Sequence, residues 1–175
     1  MGRRIVPMIT EEQIKKRIKE LGKMITDDYK NEELVIVCIL KGSMPFTCSL
    51  MWEIDNEKMS VDYMCVSSYG KETESTGNIR IIKDLDESIE GKNVLIVEDI
   101  IDTGRTMAKL LELLSTRNPK SVKVCTLLDK PSRREVKVKI DYVGFEIENR
   151  FVAGFGLDDD QYMRQLKYVG EVIFD

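Results

Sequence analysis

The residues that most limit the fold of this chain are its strand-like apolar runs, above all Leu34–Leu40. This run reads LVIVCIL and contains no polar residue. A strand with one solvated face alternates apolar and polar residues, whereas a continuous apolar run is typical of a strand covered on both faces. Residues 94–97 form a second, shorter apolar run. The chain is therefore expected to contain a sheet whose strands are buried on both sides.

Helical patterns separate these runs. Residues 10–28 begin with a capping box formed by Thr10 and Gln13, and their isoleucines and leucines share one face. Further helices are predicted over 45–52 and 106–117, and further strands over 61–67, 79–85, 122–128, 142–147 and 171–174. Strands that alternate with helices indicate an α/β fold with a mainly parallel central sheet flanked by helices. A length of 175 residues fits a single domain, residues 1–175.

Composition argues against several classes of function. A net charge of −4 and a pI near 5.2 give no general attraction for nucleic acid or for an anionic membrane surface. No stretch approaches the roughly 20 apolar residues of a membrane span, so no nucleic acid or membrane partner is expected, and the predicted location is cytoplasmic. Histidine is absent and the four cysteines are widely spaced. Chemistry must therefore depend on carboxylates, lysines, hydroxyls and hard cations.

A polar segment follows the apolar run at 94–97, and ligands of parallel sheets bind beyond the carboxyl ends of strands. Thr103, Gly104 and Thr106 lead into the helix predicted from residue 106. The N–H groups and dipole of a helix N-terminus favour a phosphate, glycine permits close backbone approach, and threonine hydroxyls add donors. No Walker or dinucleotide-binding glycine motif is present, which disfavours nucleoside triphosphates and NAD. This segment is predicted to be a phosphate cradle.

Glu98 and Asp99 stand just before this cradle. Their carboxylates could accept hydrogen bonds from the vicinal hydroxyls of a sugar, or help to hold Mg²⁺ through water. A ribose phosphate matches both the acids and the cradle. An ordinary strand-to-helix turn with solvated acids would contain the same residues, so the local chemistry leaves both interpretations open.

Signals elsewhere are weaker when they are considered alone. The polar segment at residues 68–77 is either disordered or functional, and a solvated hairpin tip is the plainest interpretation. Lys41 and Gly42 form a turn after the first apolar run, while Lys130 has the pattern of a surface lysine and Phe151 that of a core residue.

The sequence EDIIDTGRT at residues 98–106 is highly similar to the signature of type I phosphoribosyltransferases, and its first five residues resemble the hypoxanthine-guanine branch of that family. The resemblance covers residues 9–175 and includes several separate motifs in the same order. It implies the type I phosphoribosyltransferase fold, with a small hood region built from the N- and C-terminal segments and a mobile lid loop. It also implies a homo-oligomer, either a dimer or a tetramer.

The resemblance implies roles for individual residues, with Asp102 beside purine N7 as a general base or proton partner. The donor, phosphoribosyl pyrophosphate, would be bound at its 5′-phosphate and ribose by Glu98, Asp99, Asp102, Thr103, Gly104, Arg105 and Thr106, and at its pyrophosphate by Lys41, Gly42 and Arg164. The purine would contact Lys130, Phe151, Val152 and Asp158, the lid would carry Ser68 and Tyr69, and Mg²⁺ would be held by Glu98, Asp99 and Asp158. Asp159 and Asp160 are expected to be solvated.

The implied reaction is a step of purine salvage. The 5-phosphoribosyl group would pass from phosphoribosyl pyrophosphate to N9 of hypoxanthine or guanine, giving IMP or GMP and pyrophosphate. A lysine at position 130 has no acceptor for the 6-amino group of adenine, which favours 6-oxo purines. Two alternatives are a phosphoribosyltransferase for adenine, a pyrimidine or xanthine alone, and a non-catalytic RNA-binding regulator of the same fold. The acidic composition argues against the second.

Overall fold

The computed structural model describes residues 2–68 and 79–174. In chain order its elements are β1 (Arg3–Ile9), α1 (Glu11–Asp28), β2 (Leu34–Leu40), α2 (Met44–Met51), β3 (Met59–Ser68), β4 (Ile79–Lys83), β5 (Asn93–Ile101), α3 (Arg105–Ser115), β6 (Ser121–Asp129), a 3₁₀ turn (Pro131–Arg133), β7 (Tyr142–Glu146), β8 (Val152–Ala153) and β9 (Val169–Phe174).

The main sheet has six strands in the order β4-β3-β2-β5-β6-β7. All neighbouring pairs are parallel except β3 with β4. Side chains of β2 alternate between two cores: Leu34 and Ile36 pack on one face, while Val35 and Val37 pack on the other. Both faces are buried, which confirms the fold class predicted from the apolar runs.

Helices cover each face of this sheet. The first core includes the apolar face of α1, and the second includes the apolar face of α3. The N-terminus of α1 has the predicted capping box: Gln13 N–H donates to Thr10 Oγ1 at 3.2 Å, and Thr10 N–H donates to Gln13 Oε1 at 2.8 Å. No helix in the described part of the chain is long and apolar enough to span a membrane.

The strand order creates a crevice between β2 and β5. The chain leaves β2 through α2 toward β3 on one side, and leaves β5 through α3 toward β6 on the other side. Two neighbouring strands whose connections diverge in this way leave open space beyond their carboxyl ends, which is where α/β proteins bind ligands. The apolar strands therefore position the residues that follow Leu40 and Ile101.

A second sheet of three strands has the order β1-β9-β8. Its strands come from the two ends of the chain, and β1 and β8 each pair with β9 in the antiparallel sense. Strand β1 was not predicted, because the sequence RRIVPMI begins with two charged residues and its apolar residues are interrupted by a proline. Such a composition is compatible with an edge strand, where one side needs no partner.

Strand β5 is longer than predicted. Its pairing with β6 continues past residue 97, with Glu98 opposite Thr126 and Ile101 opposite Asp129. Glu98 and Asp99 thus lie within the strand and not after it, and only residues 102–104 form the turn before α3. Apolar content ended the predicted strand too early, because strand pairing tolerates acids wherever their side chains reach the open end of the sheet.

Candidate active site

The turn after β2 lies directly against the acids of β5. The peptide bond between Leu40 and Lys41 is cis. A Cβ added to Gly42 would overlap the Asp99 carboxylate, and one added to Gly156 would overlap the Gly42 carbonyl oxygen. Glycines at both positions allow this turn to fit between Asp99 and the loop that contains Gly156, which brings three of the predicted regions together.

Glu98 and Asp99 form a pair of adjacent carboxyl groups on β5. Asp99 N–H donates to Glu98 Oε1 at 3.1 Å, and Ile100 N–H donates to Asp99 Oδ1 at 2.7 Å. Neither acid forms an ion pair within 4 Å with another described residue, and the ion pairs nearest to them in the chain and in the site are those of Asp102 with Arg133 and of Asp158 with Arg164. Burial, and then the charge of Asp99, raises the pKa of Glu98 well above its ordinary value. Burial also raises the pKa of Asp99, although the charge of Arg164 opposes this shift.

A divalent cation or sugar hydroxyls would compensate these two acids. Hard oxygen ligands of this kind suit Mg²⁺, which usually keeps several waters and takes only one or two protein carboxylates beside substrate phosphates. Among the described residues, no group of three or more acidic, cysteine or histidine side chains could by itself hold a metal ion. The predicted set of Glu98, Asp99 and Asp158 is therefore not assembled as a cage, and the donor set fits a cation bound partly through its substrate.

The predicted phosphate cradle is a turn supported by a neighbouring segment. Gly104 has φ +83°, a left-handed conformation, and a Cβ there would lie 2.6 Å from the Val136 carbonyl oxygen. Thr103 Oγ1 accepts from Arg105 N–H at 3.3 Å. The turn and the first residues of α3 line a cavity of about 130 Å³. Its lining includes Glu98, Asp102, Thr103, Gly104 and Thr106.

Arg105 differs from the other cradle residues in the direction of its side chain. Its guanidinium pairs with Glu135, with Nη2 2.5 Å and Nε 2.7 Å from Oε2. In this arrangement Arg105 is the first residue of α3, and its guanidinium is directed to the exposed Glu135.

Arg164 and Lys41 meet at a residue that the sequence did not suggest. Gln161 Oε1 accepts from Arg164 Nη2 at 3.2 Å and from Lys41 Nζ at 3.4 Å. Arg164 also donates to the Gly156 carbonyl oxygen at 2.8 Å and pairs with Asp158 at 2.9 Å. Two predicted pyrophosphate ligands are therefore brought together, and Gln161 has no sequence signal beyond its place after three aspartates.

Asp158 and Asp159 have different surroundings. Asp158 pairs with Arg164 and accepts from Gln161 N–H at 2.8 Å. Asp159 is 8% exposed and pairs with Arg3 of β1 at 2.5 Å. The expectation that Asp159 is solvated was wrong, because the unpredicted strand β1 supplies the arginine that neutralises it.

Lys130 and Asp102 lie at the ends of the adjacent strands β6 and β5. Lys130 N–H donates to the Ile101 carbonyl oxygen at 3.0 Å, which fixes the two strand ends together. The Lys130 side chain belongs to a residue only 7% exposed, yet it makes no hydrogen bond or ion pair with any described residue. Asp102 is half-exposed and accepts from Arg133 Nε at 3.2 Å.

Phe151 and Val152 belong to the small sheet. The Phe151 ring is 48% exposed and stacks on Phe174, with ring centroids 5.9 Å apart. Val172 N–H donates to the Phe151 carbonyl oxygen at 2.8 Å. The Phe151 carbonyl and the Val152 N–H belong to the same peptide, and these two groups of a trans peptide point in opposite directions. Val152 N–H therefore points away from β9, on the outer edge of β8.

The predicted lid contacts are not part of this geometry. Tyr69 lies outside the described residues, as does most of the segment at 68–77, and Ser68 is described only as the last residue of β3.

Comparison with known proteins agrees with this arrangement. Residues 7–160 match the phosphoribosyl transferase domain family. The chain is 51% identical to the hypoxanthine phosphoribosyltransferase of Escherichia coli strain K12 over 168 residues, which is 95% of this chain and 94% of the relative. It is 48% identical to the hypoxanthine-guanine phosphoribosyltransferase of Bacillus subtilis strain 168, covering 93% of this chain and 90% of the relative.

A solved structure shows the same fold. The crystal structure of a hypoxanthine phosphoribosyltransferase from Staphylococcus aureus superposes with a TM-score of 0.93 at 48% identity, covering 96% of this chain and 91% of the other. The family match, the relatives and this shared fold identify the class of the protein as a phosphoribosyltransferase. The chain belongs to this family and, within it, to the hypoxanthine-guanine branch.

Proposed function

We propose that this chain transfers the 5-phosphoribosyl group of phosphoribosyl pyrophosphate to N9 of hypoxanthine or guanine, giving IMP or GMP and pyrophosphate. The observation that carries the proposal is Lys130, whose nearly buried side chain has no partner among the described residues and lies at the strand end beside Asp102. A lysine whose stem is buried while its ammonium still reaches solvent presents its three donors to a bound acceptor. The 6-oxo oxygen of either purine is such an acceptor.

The donor substrate would lie across the crevice. Thr103, Gly104 and Thr106 would receive the 5′-phosphate at the start of α3, where N–H groups lack helical partners. Glu98 and Asp99 would accept hydrogen bonds from the ribose hydroxyls, which would compensate two acids whose pKa values are raised by burial.

The leaving group needs positive charge. Bond cleavage at the ribosyl carbon develops positive character there, as in glycoside cleavage, and negative charge on the departing pyrophosphate. Lys41 and Arg164 share the neutral amide of Gln161, and an anion is a stronger acceptor than an amide for both. These two side chains would exchange Gln161 for pyrophosphate and stabilise its charge.

Members of this family generally use Mg²⁺ together with their donor substrate. Glu98 and Asp99 would hold the ion, with Asp158 available once Arg164 turns to pyrophosphate. Bound Mg²⁺ supplies charge stabilisation and orientation for the phosphate oxygens.

On the purine side, Asp102 would accept a proton at N7, and Lys130 would donate to the 6-oxo oxygen. Phe151 would stack on the base, and the outward Val152 N–H would meet its edge. The lid residues Ser68 and Tyr69 would close over the reactants and exclude water from the ribosyl carbon.

We also propose that the enzyme works in the cytoplasm as a homo-oligomer. All four cysteines are free, which suits a reducing compartment. Trp52, at the end of α2, is 76% exposed, and Met44 on the same helix is 51% exposed. Large apolar side chains at the surface favour a protein contact. Light scattering after gel filtration distinguishes a dimer or tetramer from a monomer.

One assay tests the reaction. Purified protein with Mg²⁺ and phosphoribosyl pyrophosphate is offered hypoxanthine, guanine, xanthine and adenine in turn, and nucleotide formation is followed by absorbance. We expect hypoxanthine and guanine to be used, with adenine lower in kcat/KM by about 10⁴-fold, since a site built to bond one polar group strongly rejects its analogue. Product from adenine at a similar rate, or from no purine at all, would contradict the proposal.

A further inference from the structure

The segment that follows β6 contacts the predicted phosphate cradle at Thr103 and Gly104. Thr103 carbonyl oxygen accepts from Glu135 N–H at 2.9 Å and from Val136 N–H at 3.0 Å. A Cβ on Gly104 would lie 2.9 Å from Arg134 Cδ. Residues 131–136 therefore form a support, which we call the cradle support, under the turn between β5 and α3. Both main-chain bonds are made to Thr103.

Arg134 connects the cradle support to two other residues. Its Nη2 donates to the Asp129 carboxylate, and its Nε donates to the Asp102 carbonyl oxygen at 3.1 Å. The Arg134 side chain is 17% exposed and that of Asp129 is 10% exposed. An ion pair that is largely removed from water, with a further bond from the same guanidinium, has a fixed geometry.

Arg134 lies between the two residues that are proposed to contact the purine at N7 and at the 6-oxo oxygen. Asp129 is the residue before Lys130 and lies opposite Ile101, the residue before Asp102. A guanidinium that bonds Asp129 and Asp102 together therefore bridges the two strand ends that carry the proposed purine contacts. Arg133, the neighbouring residue, makes only a half-exposed contact with the Asp102 carboxylate, and such exposed pairs contribute little.

We propose that Arg134, anchored by Asp129, is a positioning residue that fixes the main chain of Asp102 and so sets its carboxylate relative to Lys130. The proposal rests on the proposed function. A lysine in its place could pair with Asp129, but its single ammonium lacks the planar fork that reaches both partners.

The test is a split between kcat and KM. In Arg134→Gln we expect kcat to fall by about 10²-fold, the loss that follows a displacement of about 1 Å in a reacting group. The KM for phosphoribosyl pyrophosphate should change by less than about threefold, because Thr103 keeps its two main-chain bonds to the cradle support. Arg134→Lys should recover only part of kcat, and Asp129→Asn should reproduce the kcat loss in weaker form.

A matched control is Arg117→Gln. Arg117 makes a forked pair with Asp84 at 2.7 and 2.8 Å, remote from the crevice. Its loss should lower thermal stability and leave kcat unchanged. A double-mutant cycle measures whether Arg134 acts through Asp102. In an Asp102→Asn background, Arg134→Gln should lower kcat by less than about threefold, because the effects of residues that act as a unit are not additive. A purely structural role would give the same loss in both backgrounds.

The outcomes separate the two proposals. No turnover by the wild-type protein counts against the proposed function. If the wild type is active, any of three results overturns the role of Arg134. The first is a folded Arg134→Lys variant with full kcat, and the second is a KM for phosphoribosyl pyrophosphate that rises as much as kcat falls. The third is an Arg134→Gln effect on kcat that is as large in the Asp102→Asn background as in the wild type. If Arg134→Gln fails to fold, Arg134→Lys and Asp129→Asn give the same decision.

Discussion

The phosphate side and the purine side of the crevice are built in different ways. The phosphate side is here the proposed site for the ribose and 5′-phosphate, and it consists of consecutive residues, Glu98 to Thr106, on one strand and the following turn, with main-chain geometry at Gly104. The proposed pyrophosphate contacts, Lys41 and Arg164, lie on other segments. The proposed purine side consists of Lys130, Phe151 and Val152, which lie on separate segments associated with the two sheets. A site of consecutive residues leaves a local sequence pattern, whereas a gathered site leaves none. The donor substrate is thus easier to infer than the acceptor.

The largest effect is expected at Asp102, the residue that joins the two sides. Asp102→Asn should lower kcat by about 10²–10⁴-fold, the usual contribution of general acid-base assistance, with a modest change in KM for phosphoribosyl pyrophosphate. Steady-state kinetics with hypoxanthine measures both. The control is Asp160→Asn, at an exposed acid next to Asp159, and it should leave kcat and KM unchanged. Near-normal kcat in the Asp102 variant would remove it from the mechanism.

Lys130 tests the purine side alone. Lys130→Gln should lower kcat/KM for hypoxanthine and guanine by about 10²-fold and leave the poor adenine rate little changed, because only a 6-oxo substrate loses a charged hydrogen bond of about 1.5–3 kcal/mol. Competition assays between purines measure the ratio. Lys139→Gln, whose side chain is 85% exposed, is the matched control. An equal loss of kcat/KM for all bases would mean that Lys130 supports the fold and does not bind the 6-oxo group.

Gly104 tests the phosphate side, where the expected effect is smaller. Gly104→Ala should raise KM for phosphoribosyl pyrophosphate by about tenfold, because the cost of a left-handed conformation, about 1–2 kcal/mol, combines with contact against the Val136 carbonyl. Gly91→Ala separates these contributions: Gly91 has φ +70° and a Cβ there would meet nothing within 4 Å.

Both glycine variants should lose thermal stability in a melting experiment, since each adds a side chain at positive φ. Only the change at Gly104 should weaken donor binding. A matching rise in KM for Gly91→Ala would show that backbone strain anywhere in the fold has the same consequence, and that the cradle has no special role.

The sequence predicted the core more fully than the site. Continuous apolar runs identified β2 and the centre of β5 because burial on both faces leaves a direct compositional mark. The apolar run that predicted β5 ends at residue 97, four residues before the strand does, since Glu98, Ile100 and Ile101 are paired with β6. Hydropathy cannot locate a strand end that functional residues occupy.

Long-range pairing accounts for most of what was missed. Strand β1 depends on β9, which is remote in the chain, and Asp159 is buried only because Arg3 of that strand reaches it. Gln161 and Arg134 acquire their meaning from partners on other loops. No local pattern identifies such residues, whereas Thr103 and Gly104 could be predicted because a helix N-terminus is a local feature.

The smallest expected effect concerns the two acids of the phosphate side. Burial raises the pKa of Glu98 well above its ordinary value of 4.5. A carboxyl group whose pKa is raised in the folded state binds its proton more tightly there than in the unfolded chain. Stability therefore falls as pH rises from the ordinary pKa through the folded pKa, and Glu98 costs stability in the metal-free protein above its ordinary pKa. Glu98→Gln cannot ionise and should therefore melt a few degrees higher than wild type at pH 7 in chelator.

Thermal melts across pH measure this difference, which should shrink as pH falls and when Mg²⁺ and phosphoribosyl pyrophosphate are added to the wild type, because bound cations compensate the acid. Glu112→Gln is a control of opposite sign, since the bond from Lys109 lowers the pKa of Glu112. A lower melting temperature for Glu98→Gln in chelator would show that the acid pair already has a stabilising partner. The phosphate side would then be complete without its ligand, and the purine side, where Lys130 has no side-chain partner among the described residues, would be the incomplete half of the crevice.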